Sequence, residues 1–396
     1  MGGIYVGGPV RLLVKVGVMG TAIILGSAAL VACSDGAFKA VTGGSASFSS
    51  WNAPFPAAVV AEDCYNNPLY NMCLIYKNPV YVRGSAFSPK LTPLTSNGTL
   101  ERQFVTLGLN VPTEGYLENI HFKMADPLRA VARAGGWKFP YEDDTSAYLA
   151  QVQSFYWANR QLTYMKERTG KFYFERLAAP IRAYSLDEGA QNNAYFDGSG
   201  ITMGFINTAQ GKVQVGLDAS VLAHEIGHGN LYEASNGAGL SGCNGAGCFC
   251  ATKNGCFGGI HEGQGDIHSF ILFPENSVIG EYFMNATTGL RAAASIKARN
   301  LTAQDLFDLN GGEIHDMGEV YASIWWEVWS PAKAGGSEKK IEVIFTNHLA
   351  GLGTNDTFTT ALDVITTMAQ QIYPAEATAI ENSFKSEYNR MGVTLP

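Results

Sequence analysis

His224-Glu225-Ile226-Gly227-His228 places two imidazoles and a carboxylate within five residues. On a helix, residues four apart are separated by about 400° of rotation, so both rings fall on one face, one turn apart, and can reach a single divalent ion. Glu225 then projects beside that ion without binding it, where a carboxylate can take a proton from an activated water. Gly227 and Gly229 each cost such a helix roughly 1 kcal/mol relative to Ala, which implies that something must approach the backbone closely there.

Two histidines do not complete a catalytic zinc site, which has three protein ligands and one open position. The candidate for the third is Glu262 in Gly259-Ile260-His261-Glu262-Gly263-Gln264-Gly265-Asp266. Asp266 lies one helical turn later on the same side, and a carboxylate there can accept the free ring N–H of a ligating histidine and fix its tautomer. His261 is the alternative ligand. Against it, three-histidine sites place their third histidine soon after the second on a tight Gly turn, whereas a long stretch separates His228 from His261.

With these residues in view, the chain resembles the thermolysin and fungalysin group of metallopeptidases, the gluzincins. His224 to Gly229 matches the fungalysin pattern H-E-x-x-H-G, and Glu262-Gly263 with Asp266 matches E-G-x-x-D, although Gln264-Gly265 stands where the family usually has Trp-Ser. Asn192-Asn193-Ala194-Tyr195-Phe196 is similar to the edge-strand segment that binds substrate backbone, Asn193 by its side-chain amide and Ala194 by its carbonyl. Ile314-His315-Asp316-Met317-Gly318-Glu319-Val320-Tyr321-Ala322 resembles V-H-x-x-G-E-x-W-A, which makes His315 the donor to the oxyanion. The Asp that orients this histidine in thermolysin is Asn310 here, leaving Asp308 or Asp316 as substitutes; Ser220 occupies the position of a calcium-binding Asp, so structural calcium is not expected. The likeness runs from about Tyr141 to the C-terminus and does not clearly cover residues 34–139. It implies an α+β, two-lobed thermolysin-like fold and a zinc endopeptidase with Zn2+ on His224, His228 and Glu262, Glu225 as general base and a peptide or protein as substrate. Two rivals are a gluzincin aminopeptidase and a surface binding lipoprotein that keeps zinc only for its fold. The first would need a pocket for a free amine that no segment clearly supplies, and the second would have no use for Glu225.

The elements that must position these residues can be sketched from periodicity. Tyr148, Val152, Phe155, Ala158 and Leu162 predict a helix over residues 145–170 with Gly170 as its cap. Phe172-Tyr173-Phe174 and Ala194-Tyr195-Phe196 read as strands, the latter leading into a turn at Asp197-Gly198-Ser199-Gly200. Residues 220–229 read as the metal helix and 237–259 as a Gly/Cys-rich loop. Helices are then expected over 262–272, 302–309, 318–329 with a stop at Pro331, 357–373 with a stop at Pro374, and 375–391 capped by Gly392. The organisation this suggests is an export segment (1–32), an N-terminal segment without an assigned role (33–139), a strand-bearing N-lobe holding the edge strand and metal helix (140–275), and a helical C-lobe (276–396).

The first residues predict export. Arg11 and Lys15 flank an uncharged apolar run that ends in Leu30-Val31-Ala32-Cys33, which resembles the lipobox of bacterial lipoproteins, with Cys33 the lipidated residue and the rest held in the cell envelope, facing the periplasm or the outside. Removing that segment leaves 25 of the 27 basic residues against 35 acidic ones, a formal charge of −10, which disfavours nucleic acid as a partner. Six further cysteines, Cys64, Cys73, Cys243, Cys248, Cys250 and Cys256, predict disulfides in an exported chain, Cys64 with Cys73 and the last four among themselves, with a metal site on those four as the competing idea.

Overall fold

The computed structural model describes residues 70–75, 91–95, 116–131, 139, 146–176, 178–185, 190–208, 211–237, 249–273, 278–280 and 291–395. The expected export segment, Cys33, Cys64, Cys243 and Cys248 lie outside these residues, as does much of 33–139. Among the described residues no helix is long and apolar enough to cross a membrane.

The architecture is the expected α+β one: a small sheet followed by packed helices. In chain order the strands are β1 (Tyr70–Ile75), β2 (Leu91–Thr95), β3 (Phe122–Met124), β4 (Ala179–Arg182), β5 (Ala194–Phe196), β6 (Ile201–Met203), β7 (Phe205–Thr208), β8 (Gly211–Gln214), β9 (Val278–Ile279) and β10 (Arg291–Ala292). The principal sheet has the order β3-β4-β6-β5. Its first three strands are parallel, and among the described residues β5 joins antiparallel to β6 alone, which puts the aromatic segment predicted as an edge strand at the edge of that sheet.

Helix α1 (Ser146–Thr169) is buried almost all round, with Leu149, Val152, Phe155 and Leu162 at 1% exposure or less beside the buried polar side chains of Gln151, Gln153, Ser154, Asn159 and Gln161. It ends where expected: Gly170 takes φ +76° and its N–H donates to Lys166 O at 2.9 Å. The metal helix, α2 (Ala219–Ala234), is longer than predicted, chiefly at its C-terminal end; Asp218 caps its first turn, accepting from the N–H groups of Ser220 and Val221. The Ser220 hydroxyl donates to Asp218 Oδ1 at 2.6 Å and accepts from Gly280 N–H, so this position joins the cap to the residue that follows β9.

Helix α3 (Phe257–Leu272) begins inside the stretch expected to be loop. Gly258 and Gly259 did not prevent it, because the first is pressed against Ile314 and the second against Met317, where an added Cβ would lie 2.8 Å and 3.0 Å from those side chains. The C-terminal helices are α4 (Ala293–Ala298), α5 (Ala303–Asn310), α6 (Ile314–Ala334), α7 (Glu338–His348), α8 (Phe358–Ile372) and α9 (Ala377–Met391). Helix α6 runs through Pro331 instead of stopping there: this close to the end the ring removes one hydrogen bond, and the chain leaves the helix at Gly335 and Gly336. Phe172-Tyr173-Phe174 is not a strand. Asn230 of α2 accepts the Tyr173 and Phe174 N–H groups at 3.0 Å each, so a side chain from the metal helix takes the place of a strand partner.

Helices α2, α3 and α6 pack through glycines. A Cβ on Gly227 would sit 2.9 Å from Gly265 Cα, and one on Gly263 would sit 2.6 Å from Gly318 O. The backbones therefore touch, which brings short side chains from all three helices to one point.

Candidate active site

Each of these helices contributes polar groups to one region: His224, Glu225 and His228 from α2 and His261, Glu262 and Asp266 from α3, all buried, and His315 from α6, partly buried. Burying this many ionisable groups is costly unless they pair or hold an ion. His224 Nδ1–H donates to Asp266 Oδ1 at 2.8 Å, which leaves Nε2 turned toward Glu262, 3.3 Å from its Oε2. His228 Nε2 lies 3.7 Å from Glu262 Oε1, and His315 Nε2 lies 3.3 Å from Oε2. Glu262 Oε2 nevertheless has no hydrogen-bond partner, nor has His228 Nδ1.

Donor atoms that converge without bonding one another suit a common cation. Tetrahedral zinc with ligand distances of about 2.0–2.2 Å sets neighbouring donors about 3.4 Å apart, close to the 3.3 Å and 3.7 Å separations of Glu262 from the two α2 histidines. The mixed imidazole and carboxylate set is one that zinc accepts. Donor atoms of His224, Glu225 and His228 lie within 4.8 Å of one another, as do those of His228, His261 and Glu262. His261 thus remains near enough to stand as the alternative ligand considered above. Its ring stacks on that of His228, centroids 4.4 Å apart and planes 20° from parallel, with Nε2 unpartnered.

The electrostatics follow from burial and neighbours. Burial pushes the Glu225 carboxyl up to about 7, with His224 opposing and Glu262 adding to the rise. Burial likewise opposes charge on Glu262, but His315, His228 and His224 hold it well below the usual carboxylate range. His228 is driven well below its ordinary value by burial, His224 and His261, so it offers a neutral imidazole. His315 is raised in spite of burial, by Glu262 and Glu313.

Neither Asp308 nor Asp316 orients His315. Glu313 does: its Oε1 accepts from His315 Nδ1 at 2.6 Å, while its Oε2 caps α6 by accepting the His315 N–H at 2.8 Å. Asp316 instead accepts from Asn310 Nδ2, and Asp308 from Gln304 Nε2. Glu313 is a carboxylate two residues before His315, and its capping position was the available signal.

Arg291 had no such signal. Its Nε and Nη2 approach Asp266 at 2.9 Å and 2.8 Å, and Nη2 is 3.1 Å from His224 Nδ1, across 25 and 67 positions of sequence. Asp266 is therefore shared between a ring N–H and a guanidinium, and it stays ionised despite burial, chiefly through Arg291.

Asn193 immediately precedes β5 and is buried, its side-chain Oδ1 unpartnered, and the strand is carried against α2 by Phe196 on Tyr232, centroids 5.6 Å apart. Ala194 pairs with Met203 on one side. Cys250 and Cys256 form a disulfide, which removes both from the competing idea of a cysteine metal site.

The sequence model of the fungalysin metallopeptidases (M36) matches residues 65–380, reaching well into the stretch where no likeness was expected. No curated protein matches the chain. Among solved structures, the precursor of protealysin, a metalloproteinase from Serratia proteamaculans, is 14% identical with a TM-score of 0.45, over 75% of this chain and 95% of that one.

Proposed function

The chain belongs to the fungalysin metallopeptidase family, and from that premise we propose that His224, His228 and Glu262 hold the metal of this zinc endopeptidase, with Glu225 as general base. The reading rests on one observation above others: ring nitrogens of the buried His224 and the partly buried His315 stand 3.3 Å from the same Glu262 oxygen, yet that oxygen has no hydrogen bond.

Zinc, when bound, supplies a Lewis acid that lowers the pKa of water toward about 7 and polarises the scissile carbonyl. Glu225 takes the proton of the attacking water and delivers it to the leaving amine, a shuttle suited to a carboxyl that burial has already raised toward neutrality. Asp266 holds His224 in the tautomer whose Nε2 is free, and Arg291 keeps Asp266 charged. His315 carries hydrogen on Nε2 while Nδ1–H is bound by Glu313, so Nε2 can donate to the oxyanion. Asn193, through its amide, and Ala194, through its carbonyl, bind an extended peptide laid along β5. Cleavage inside the peptide is the expected mode; if free peptides were cut and their N-acetylated forms were not, the aminopeptidase reading would replace it.

Bound zinc and casein hydrolysis, measured for wild type beside Glu225→Gln, test the assignment. Retained metal with turnover reduced by about 10²–10⁴ is the expected result, whereas loss of metal would make Glu225 a ligand and unimpaired turnover would end the proposal.

We further propose that the chain is exported and lipidated at Cys33, which holds it at the bacterial envelope. The apolar run before Leu30-Val31-Ala32-Cys33 supports this. Labelled palmitate should enter the wild type and not Cys33→Ala.

A further inference from the structure

The Cys250–Cys256 disulfide lies at the start of α3, with Cys256 as the residue that precedes its first turn. On its other side, Cys250 N–H donates to Gly312 O at 2.7 Å, and Phe249 pairs as an antiparallel bridge with Glu313. Gly312 takes φ +84°, and a Cβ there would lie 2.4 Å from Cys250 O, so the two backbones meet without room for a side chain. Glu313 is the residue that both caps α6 and grips His315. A short covalent loop, closed between cysteines six positions apart, thus ties the helix of Glu262 to the turn that presents His315.

We propose that Cys250 and Cys256 are positioning residues for the reaction: their disulfide sets the His315 donor relative to the Glu262 helix, through the pairing of residues 249–250 with Gly312 and Glu313. This rests on the role of His315 proposed above. Glu262, His224 and His228 are held by the glycine contacts of α2 and α3 and do not depend on the loop, so opening the disulfide spares zinc binding and ground-state binding while costing transition-state stabilisation. Removing an oxyanion donor altogether costs about 10²–10³ in turnover, and a displacement of about 1 Å can cost as much as 10².

The test compares wild type, Cys250→Ala/Cys256→Ala and His315→Ala for zinc content, KM, kcat and inhibition by a phosphonamidate peptide that mimics the tetrahedral intermediate. The double variant is expected to keep zinc and KM, lose about tenfold or more in kcat and bind the phosphonamidate weaker by the same factor. A phosphine reductant added to the folded wild type, converting the disulfide to two thiols as the phosphine becomes its oxide, should lower kcat likewise, reversibly on reoxidation, and leave the double variant unaffected. This second arm keeps the question open to experiment should the double variant fold poorly. If His315→Ala is impaired and the double variant is not, or if zinc and KM fall together with kcat, the positioning role is overturned. An unimpaired His315→Ala would instead overturn the underlying reading of the site.

Discussion

On the reading proposed, Asp266 governs the metal site without touching substrate. It receives the Nδ1–H of His224 and the fork of Arg291, so its charge is balanced in place and the free nitrogen of His224 is fixed in direction. Replacing it with Asn removes the charge that Arg291 faces and offers a single acceptor oxygen. Asp266→Asn should weaken zinc binding by about 10–100-fold, as measured by competition with a chromophoric chelator. The same scale sets the pH response. Glu225 must be ionised to take a proton, and burial raises its carboxyl, to about 7. Activity is therefore lost as pH falls through that range, and because a bound cation favours the carboxylate, the acid limb of kcat/KM is expected between the ordinary value of 4.5 and about 7. A profile flat down to pH 4 would count against Glu225. Much of this was legible in the sequence, since His224, Glu225 and His228, and then Glu262 and Asp266, relate to one another by helical spacing alone. Arg291 was not, because only tertiary packing carries it to Asp266. Glu313 is legible as a carboxylate at the cap of α6, although the family pattern points to an aspartate.

At the level of elements, periodicity located most helices and mistook the ends of some. The start of α3 and the end of α6 differ from expectation at Gly258-Gly259 and Pro331, residues that disfavour helix in isolation and are tolerated here through packing and nearness to a terminus. Phe172 to Phe174 looked like a strand because no sequence pattern announces that Asn230 will take its amides. The glycines of α2, α3 and α6 make the sharpest prediction. A methyl group on Gly318 would lie 2.6 Å from Glu262 Cβ and 3.0 Å from Gly263 N, with backbone on one side and a metal-site residue on the other. Gly318→Ala is expected to cost about 1–3 kcal/mol of stability, seen as a lower midpoint in denaturant, and to weaken zinc binding at the same time. Gly170→Ala provides the contrast: nothing lies within 4 Å of an added Cβ, so its cost comes only from φ +76° and zinc affinity should not change.

For the molecule as a whole, the site lies where three helices meet, and a cation held by His224, His228 and Glu262 would cross-link two of them, α2 and α3. Because a ligand that binds only the folded state stabilises it by mass action, chelation should abolish hydrolysis and also lower the melting temperature, with both restored by zinc. An unchanged melting temperature in chelator would mean that the metal does not bridge the helices.

Among the described residues, strand β5 has a neighbour on one side only. On the reading proposed, a target must lend its own amides to that vacant side, and it can do so only where they are not already engaged. Natively folded proteins would then be nicked mainly where they fray, and the rate of attack on an intact protein would follow how often its segments come undone more than which side chains flank the cut.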